Sequence, residues 1–159
     1  MDSSGELRRL VNTWSGRRGI GKNFTAIHHV PERQAQFGDF PDRLDSRLVA
    51  MLENRGIGAL YTHQSDAIGH VLNDVNTVVV TPTASGKSLC YNLPALDALY
   101  QGENTLYMFP TKALAQDQAS ELNMLLKGAP QADPTWEAQV YDGDTPPDVR
   151  RRIRRSGKL

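Results

Sequence analysis

A valine run that leads into a loop of small residues is the feature of this sequence that most constrains its fold. Residues 78–94 read VVVTPTASGKSLCYNLP, so β-branched residues precede the loop and an apolar segment of helical character follows it. A strand that enters such a loop and leaves it as a helix points backbone N–H groups and the positive end of the helix at one spot, an arrangement that binds phosphate. The stretch therefore predicts a strand–loop–helix unit built around a phosphate group.

Strand and helix patterns alternate through the rest of the chain. The predicted strands are 77–80, 104–110 and 136–144, and the helical patterns that follow them cover 86–102, 111–128 and 145–157. Two amphipathic helices are predicted upstream, over 40–56 and 61–74. This order predicts an α/β domain with a parallel sheet and flanking helices.

The apolar spacing also predicts which side of each helix faces the core. The predicted inward residues are Leu44, Leu48, Met51 and Leu52, then Ala67, Ile68, Val71 and Leu72, and finally Leu114, Leu122, Leu125 and Leu126. Pro94 is expected to bend or interrupt its helix, because proline removes a backbone donor. Helix starts are predicted at three threonines, Thr62, Thr111 and Thr145.

The first 27 residues give weaker signals. Residues 6–14, ELRRLVNTW, predict a short amphipathic helix, and the glycine-rich stretch after them predicts a flexible or weakly structured lead-in. Residues 28–159 are then expected to form one domain. No apolar run is long enough to cross a bilayer or to act as a signal peptide, so we expect a cytoplasmic protein without a membrane partner. Cys90 has no second cysteine to pair with and is expected to be buried.

Charge is balanced overall but not along the chain. Residues 150–159 carry six basic side chains and no acidic one, although the whole sequence has 18 of each sign. Such an end can contact phosphates, and it can equally be a solvated helix face.

Residues 81–88, TPTASGKS, have the composition that phosphate binding requires. Small residues let the backbone curl round phosphate oxygens, and Gly86 permits close approach. Lys87 is predicted to contact the outer phosphates of a nucleotide, and the Ser88 hydroxyl to bind Mg²⁺. Thr81 stands where such loops usually have their first glycine.

Four segments, LYTHQSDAI, TPTASGKSLCYNLP, MFPTKALAQDQ and YDGDTP, occur in this order, and together they resemble the first RecA-like domain of superfamily 2 helicases. The likeness is to the Hrq-type branch, which includes bacterial mitomycin-repair helicases, and it covers about residues 28–155. It implies a P-loop NTPase with a RecA-like sheet that uses ATP and Mg²⁺ and binds single-stranded DNA, with RNA as the alternative. It also implies a role in DNA repair.

The resemblance implies roles for individual residues. Gln64 would read the adenine edge, with Tyr61 packed nearby. The phosphate loop corresponds to Thr83, Ala84, Ser85, Gly86, Lys87 and Ser88. The nucleic-acid strand would meet Pro110, Thr111 and Lys112 at a helix start, and Arg150 and Arg154 are the predicted phosphate contacts in the basic end.

Asp142 and Asp144 suggest a metal-binding pair, but their context argues against the acidic helicase motif. That motif follows several consecutive apolar residues, whereas EAQVYDGD alternates. Asp144 is instead predicted to be a turn or cap residue.

The resemblance also implies parts that this sequence does not contain. The sequence stops before the acidic motif II and the second RecA-like domain, so we expect an N-terminal fragment that binds ATP and nucleic acid without efficient turnover. An incomplete sheet would leave an apolar edge for the missing remainder or a partner to cover. Two alternatives remain open: a small P-loop nucleotide kinase, and a non-catalytic module that binds nucleotides or nucleic acid.

Overall fold

The structure is a computed structural model that describes residues 3–28, 34–83 and 85–156. The chain divides into two compact units, Met1–Gln34 and Ala35–Leu159. The first unit contains helix α1 (Ser3–Ser15) and a 3₁₀ turn (Gly21–Asn23). Helix α1 confirms the short helix predicted over residues 6–14, and its Leu7 and Trp14 side chains are exposed.

The second unit is mostly helical. Its helices are α2 (Ser46–Asn54), α3 (Thr62–Leu72), α4 (Ser88–Tyr100), α5 (Lys112–Gly128) and α6 (Pro147–Ser156). A short antiparallel pair, β1 (Phe37–Gly38) and β2 (Leu60–Tyr61), places Phe37 opposite Tyr61. The sequence did not predict this pair, because two-residue strands carry no periodic signal.

Buried side chains, most of them leucines on α2, α4 and α5, form the core together with residues of β2 and α3. The core residues are Leu44, Leu48, Met51, Leu52, Leu60, Ile68, Leu93, Leu96, Leu99, Leu122, Leu125, Leu126 and Ala129. The predicted inner sides of α2 and of the later part of α5 are therefore confirmed. The predictions for Val71 and Leu114 are wrong, since each is 39% exposed near a helix end, beyond the part of the helix that meets the core. Cys90 is buried as predicted, and burial raises the pKa of its thiol.

The helix starts agree only in part with the predicted caps. Thr111 caps α5, where its hydroxyl accepts a hydrogen bond from Leu114 N at 3.3 Å. Helix α3 begins at Thr62 itself, so its cap is Tyr61 and the prediction for Thr62 is wrong. The Thr145 prediction is also wrong, because its hydroxyl accepts from Asp142 N inside the preceding turn. Helix α4 runs through Pro94 without interruption.

Asp97, in the second half of α4, ties that helix to the start of α2. Its carboxylate is 2% exposed and accepts hydrogen bonds from Asp45 N at 2.9 Å and from Gln101 Nε2 at 2.5 Å. Asp45 in turn caps α2 by accepting from Arg47 N. A buried carboxylate with these donors holds the start of α2 against α4.

The three predicted parallel strands are not formed as hydrogen-bonded strands among the described residues, and this prediction needs correction. Residues 77–80 and 105–109 nevertheless alternate between half-buried and exposed side chains, as an extended segment with one covered face does. Val78 and Val80 are each 88% exposed, and Leu106 and Met108 each 86%. Tyr107 of the second segment is covered by α4, where its ring packs on Tyr91 and its hydroxyl donates to Asn92. Within the described part of the chain, the exposed side chains of both segments lack the neighbours that a buried strand requires.

Within the described part of the chain, no helix is long and apolar enough to cross a membrane.

Candidate functional site

The ammonium group of Lys87 lies against oxygen atoms of three residues of its own loop, Thr81, Pro82 and Ser85. Lys87 Nζ donates to Pro82 O at 2.7 Å and to Thr81 O at 3.0 Å, and it lies 3.3 Å from Ser85 Oγ. The Thr81 and Ser85 hydroxyls are joined at 2.5 Å. Thr81, which replaces the usual glycine, therefore uses its hydroxyl to contact both Ser85 and the Lys87 ammonium group.

The residues predicted for phosphate binding lie together at the start of α4. Ser88 is the first residue of that helix and is half-buried, and Gly86 and Lys87 precede it directly. Thr83 is exposed in the same loop, whereas Ala84 lies outside the described residues. The helix start adds the positive end of its dipole to the lysine charge, so the loop can attract an anion.

Gly86 is required here for two separate reasons. Its φ of 74° lies in the left-handed region that side chains disfavour. A Cβ atom at this position would also lie 2.6 Å from Gln64 Nε2, closer than real contacts allow. The backbone of the loop thus depends on both the glycine and its neighbour Gln64.

Gln64 is 3% exposed and bridges two stretches of backbone. Its Oε1 accepts from Tyr61 N at 2.9 Å, and its Nε2 donates to Gly86 O at 2.8 Å. The structure therefore brings Gln64 to the loop, as the resemblance implied. Both ends of its amide are occupied by backbone, so its adenine-reading role stays a prediction.

An aromatic stack lies beside Gln64. Phe37 and Tyr61 stack with ring centroids 5.3 Å apart, and Tyr61 and His63 stack at 5.8 Å. His63 Nε2 lies 3.0 Å from Ser85 O, so the stack ends on the phosphate loop. Sequence reasoning missed Phe37 and His63, because only the β1–β2 pairing brings Phe37 to this site.

A magnesium ion carried by a nucleotide suits the donor set at this loop. Mg²⁺ in nucleotide sites takes one or two protein oxygens and completes its shell with phosphates and water. The Ser88 hydroxyl at the start of α4 would supply one such oxygen. No group of three or more histidine, cysteine, aspartate or glutamate side chains that could hold a metal occurs among the described residues.

The start of α5 carries the second predicted site. Lys112 Nζ donates a hydrogen bond to Asp144 Oδ2, and this contact raises the pKa of Lys112. Both side chains remain largely exposed, at 54% and 80%. Thr111 is exposed beside them and caps the helix, and Pro110 precedes it, also exposed.

Asp142 shapes the turn that holds Asp144. Its carboxylate accepts hydrogen bonds from Asp144 N at 2.9 Å and Thr145 N at 3.1 Å, and these contacts lower the pKa of Asp142. The prediction of Asp144 as a turn residue is therefore confirmed, and its ion pair with Lys112 is an additional finding.

One arginine of the basic end, Arg150, binds the backbone of the turn that precedes α6. Arg150 donates to the carbonyl oxygens of Asp142, Gly143 and Thr145 at 2.7 to 2.9 Å. The structure thus places Arg150 on the turn rather than on the open face of α6. Arg154 is exposed and makes a 3.4 Å contact to Arg150 O. Further exposed arginines of α6 are Arg151, Arg152 and Arg155.

Comparison with known proteins gives consistent matches over nearly the whole chain. The chain is 44% identical over 155 residues to an uncharacterized ATP-dependent helicase, YprA, of Bacillus subtilis. This alignment covers 96% of the chain and 20% of the relative. It is 38% identical over 137 residues to the ATP-dependent helicase hrq1 of Schizosaccharomyces pombe, covering 84% of the chain and 13% of the relative. The chain thus spans a fifth or less of these relatives.

Solved structures show the fold. A crystal structure of the DUF1998 helicase MrfA bound to DNA matches with a TM-score of 0.79 at 42% identity, over 95% of this chain and 21% of that one. MrfA bound to DNA and AMPPNP matches with a TM-score of 0.77 at 41% identity, over 92% of this chain and 20% of that one. The chain therefore has the helicase RecA-like fold.

The matches extend further along the chain than the resemblance described from sequence, which covered about residues 28–155. Because the match to YprA covers 96% of the chain, it includes most of residues 1–27. A family model described as DEAD/DEAH box helicase matches residues 61–159, more than half of the chain. The chain belongs to the DEAD/DEAH box helicase family.

Proposed function

We propose that this chain is the ATP-binding part of an ATP-dependent helicase that acts on DNA in the cytoplasm. The observation that carries the proposal is the loop before α4, in which the Lys87 ammonium group contacts loop oxygens and Gln64 binds the carbonyl of Gly86. The names of the relatives and the DNA and AMPPNP in the MrfA structures support it.

Binding of a triphosphate would exchange the partners of Lys87. Its ammonium group donates hydrogen bonds to carbonyl and hydroxyl oxygens of its own loop, which are neutral acceptors. Charged phosphate oxygens form stronger hydrogen bonds than neutral carbonyls, so Lys87 would turn from the loop to the outer phosphates. A Mg²⁺ ion bound with ATP would neutralise phosphate charge beside the Ser88 hydroxyl.

The base would bind at the aromatic stack. Phe37 is 60% exposed and packs one side of its ring on Tyr61, so a purine can stack against this pair. Gln64 lies next to it, and its amide can pair with adenine if one of its two backbone contacts is exchanged. We expect Gln64→Ala to reduce the preference for ATP over GTP.

Nucleic acid would lie across the starts of α5 and α6. Thr111, Lys112 and the exposed arginines of α6 provide donors for phosphate oxygens, which suits a single strand bound through its backbone. DNA is the proposed strand because MrfA was crystallised with DNA, and RNA binding is an outcome that a competition assay distinguishes.

The isolated chain is proposed to bind without efficient turnover. No Asp-Glu pair follows an apolar strand in the 159 residues, and phosphoryl transfer requires positioned water and an arginine in addition to the phosphate loop. The open face at Val78, Val80, Leu106 and Met108 is proposed to be covered by further helicase segments or by a partner.

Titration calorimetry with ATP and Mg²⁺ tests the proposal. Lys87→Ala removes a charge-assisted contact and should weaken ATP binding by about 1.5–3 kcal/mol, or roughly 10-fold to more than 100-fold. Lys127→Ala, which removes an exposed lysine at the end of α5, is the matched control and should leave affinity unchanged. Equal affinity of wild type and Lys87→Ala would refute the phosphate-loop assignment.

A small nucleotide kinase is the second candidate function. The only feature that supports it is the phosphate loop, which such kinases and helicases have in common. It is disfavoured because 76 residues precede the first predicted strand, whereas small kinases begin with that strand. Transfer of phosphate from ATP to a nucleoside or nucleoside monophosphate, detected by chromatography of the products, would establish it.

A further inference from the structure

Two consecutive side chains in the first turn of α3 hold two consecutive carbonyl groups of the phosphate loop. Gln64 Nε2 donates to Gly86 O at 2.8 Å, and His63 Nε2 lies 3.0 Å from Ser85 O. Since a carbonyl oxygen only accepts, the proton of this contact belongs to His63 Nε2. His63 has no role in the proposed function, and its contact of 3.0 Å lies, like the 2.8 Å contact of Gln64, within hydrogen-bond distance.

Holding these carbonyls also orients the N–H groups on the other side of the same peptides. A trans peptide is planar, with its C=O and N–H pointing in opposite directions. When α3 holds the Ser85 carbonyl, the N–H of Gly86 points away from α3. The Gly86 carbonyl orients the N–H of Lys87 in the same way. Backbone N–H groups of this part of the loop are the donors that surround a phosphate.

The ring of His63 is itself fixed by stacking. It lies nearly parallel to Tyr61, at an interplanar angle of 11°, and Tyr61 lies at 18° to Phe37. Parallel rings at these distances favour one another, so the imidazole has a defined plane from which to donate. The stack thus connects the proposed base platform with the loop that would hold the phosphates.

We propose that His63 is a positioning residue of the nucleotide site, which orients the Ser85–Gly86 peptide for phosphate binding and links that peptide to the aromatic base platform. The proposal rests on the proposed ATP site. It assigns to His63 a contribution to the affinity for the outer phosphates and none to the choice of base.

Three substitutions separate the hydrogen bond from the ring. His63→Phe keeps a stacking ring and removes the donor, His63→Gln keeps an N–H donor at similar reach and removes the ring, and His63→Ala removes both. Affinities of the 159-residue chain for ATP, ADP, AMP and GTP are measured by calorimetry, and the melting temperature of each variant is recorded. Because His63→Phe and His63→Ala share the expected loss, either one tests the donor if the other folds poorly.

We expect His63→Phe and His63→Ala to weaken ATP and ADP binding by about 3- to 10-fold, the effect of one lost hydrogen bond. His63→Gln should stay within about 2-fold of wild type. Binding of AMP, which lacks the outer phosphates, should change by less than about 2-fold in every variant, and the ratio of ATP to GTP affinity should stay constant in His63→Phe.

Several results would overturn the assignment. Wild-type ATP affinity in His63→Phe, failure of His63→Gln to rescue, or an equal loss for AMP would each show that the donor does not position the phosphate loop. The Lys87→Ala variant separates this outcome from failure of the proposed function. If Lys87→Ala loses ATP binding while His63→Phe does not, only the role of His63 is wrong; if the wild type does not bind ATP, both proposals fall.

Discussion

Replacement of Gly86 by alanine should damage the phosphate loop through Gln64. The new Cβ would lie 2.6 Å from Gln64 Nε2, and the backbone at Gly86 has a φ of 74°. Left-handed backbone costs an alanine about 1–2 kcal/mol. Displacement of the Gln64 amide loses its bonds to Gly86 O and Tyr61 N, worth about 1 kcal/mol each. The total is about 3–4 kcal/mol, of which about 2 kcal/mol comes from Gln64.

Gly56 supplies a matched control for the backbone part of this cost. Its φ of 79° is close to that of Gly86, but a Cβ there would meet nothing within 4 Å. Gly56→Ala should therefore lower the free energy of unfolding by about 1–2 kcal/mol and leave ATP affinity unchanged. Gly86→Ala should lower the free energy of unfolding further and weaken ATP binding by about 10-fold or more.

A double-mutant cycle isolates the part carried by Gln64. Urea unfolding is measured for wild type, Gly86→Ala, Gln64→Ala and the double variant. If Gly86→Ala already displaces the amide, Gln64→Ala adds little in that background, so the coupling free energy should be about 2 kcal/mol. Additivity within about 0.5 kcal/mol, or wild-type ATP affinity in Gly86→Ala, would refute the argument from steric contact.

Two further predictions concern the proposed nucleic-acid surface. Asp144→Asn frees Lys112 from its ion pair and should raise affinity for single-stranded DNA by up to about 3-fold in fluorescence anisotropy, a small effect because both side chains are exposed; weaker binding would contradict competition between Asp144 and phosphate. The double change of Arg151 and Arg155 to alanine should flatten the dependence of log affinity on log salt by about 1.4, which corresponds to two phosphates of a single strand. Arg55→Ala removes an exposed arginine at the end of α2 and should leave this slope unchanged; an unchanged slope in the double variant would assign the arginines of α6 to solvation.

The helices were predictable because their signal is local. Leu48, Met51 and Leu52 occur at helical spacing on α2, and all three are buried. The same spacing misplaced Leu114 and Val71, because periodicity identifies a face of a helix but not how far along the helix that face contacts the core. The contact area is decided by the crossing of helices, which no local pattern contains.

The candidate site was predictable in its residues but not in its contacts. The composition of residues 81–88 identified the loop and Lys87, and the resemblance added Gln64. The hydrogen bonds from His63 and Gln64 to the loop join residues 22 positions apart, so they depend on how α3 packs against α4. Arg150 shows that charge alone does not predict the partner of a side chain. Its charge predicted a contact with a nucleic-acid phosphate, whereas in the structure it donates to three backbone carbonyl groups.

The missing strands follow from the free energy of burial. A continuous apolar run such as residues 78–80 indicates a strand covered on both faces, and the structure covers one. Full burial of one valine, leucine or methionine side chain contributes about 1.5–3 kcal/mol, so covering Val78, Val80, Leu106 and Met108 would contribute about 6–12 kcal/mol. That sum is comparable with the whole net stability of a typical domain, about 5–15 kcal/mol. The valine run therefore encodes a sheet whose stability depends on residues that cover the second face, which is the physical basis for proposing further helicase segments or a partner there.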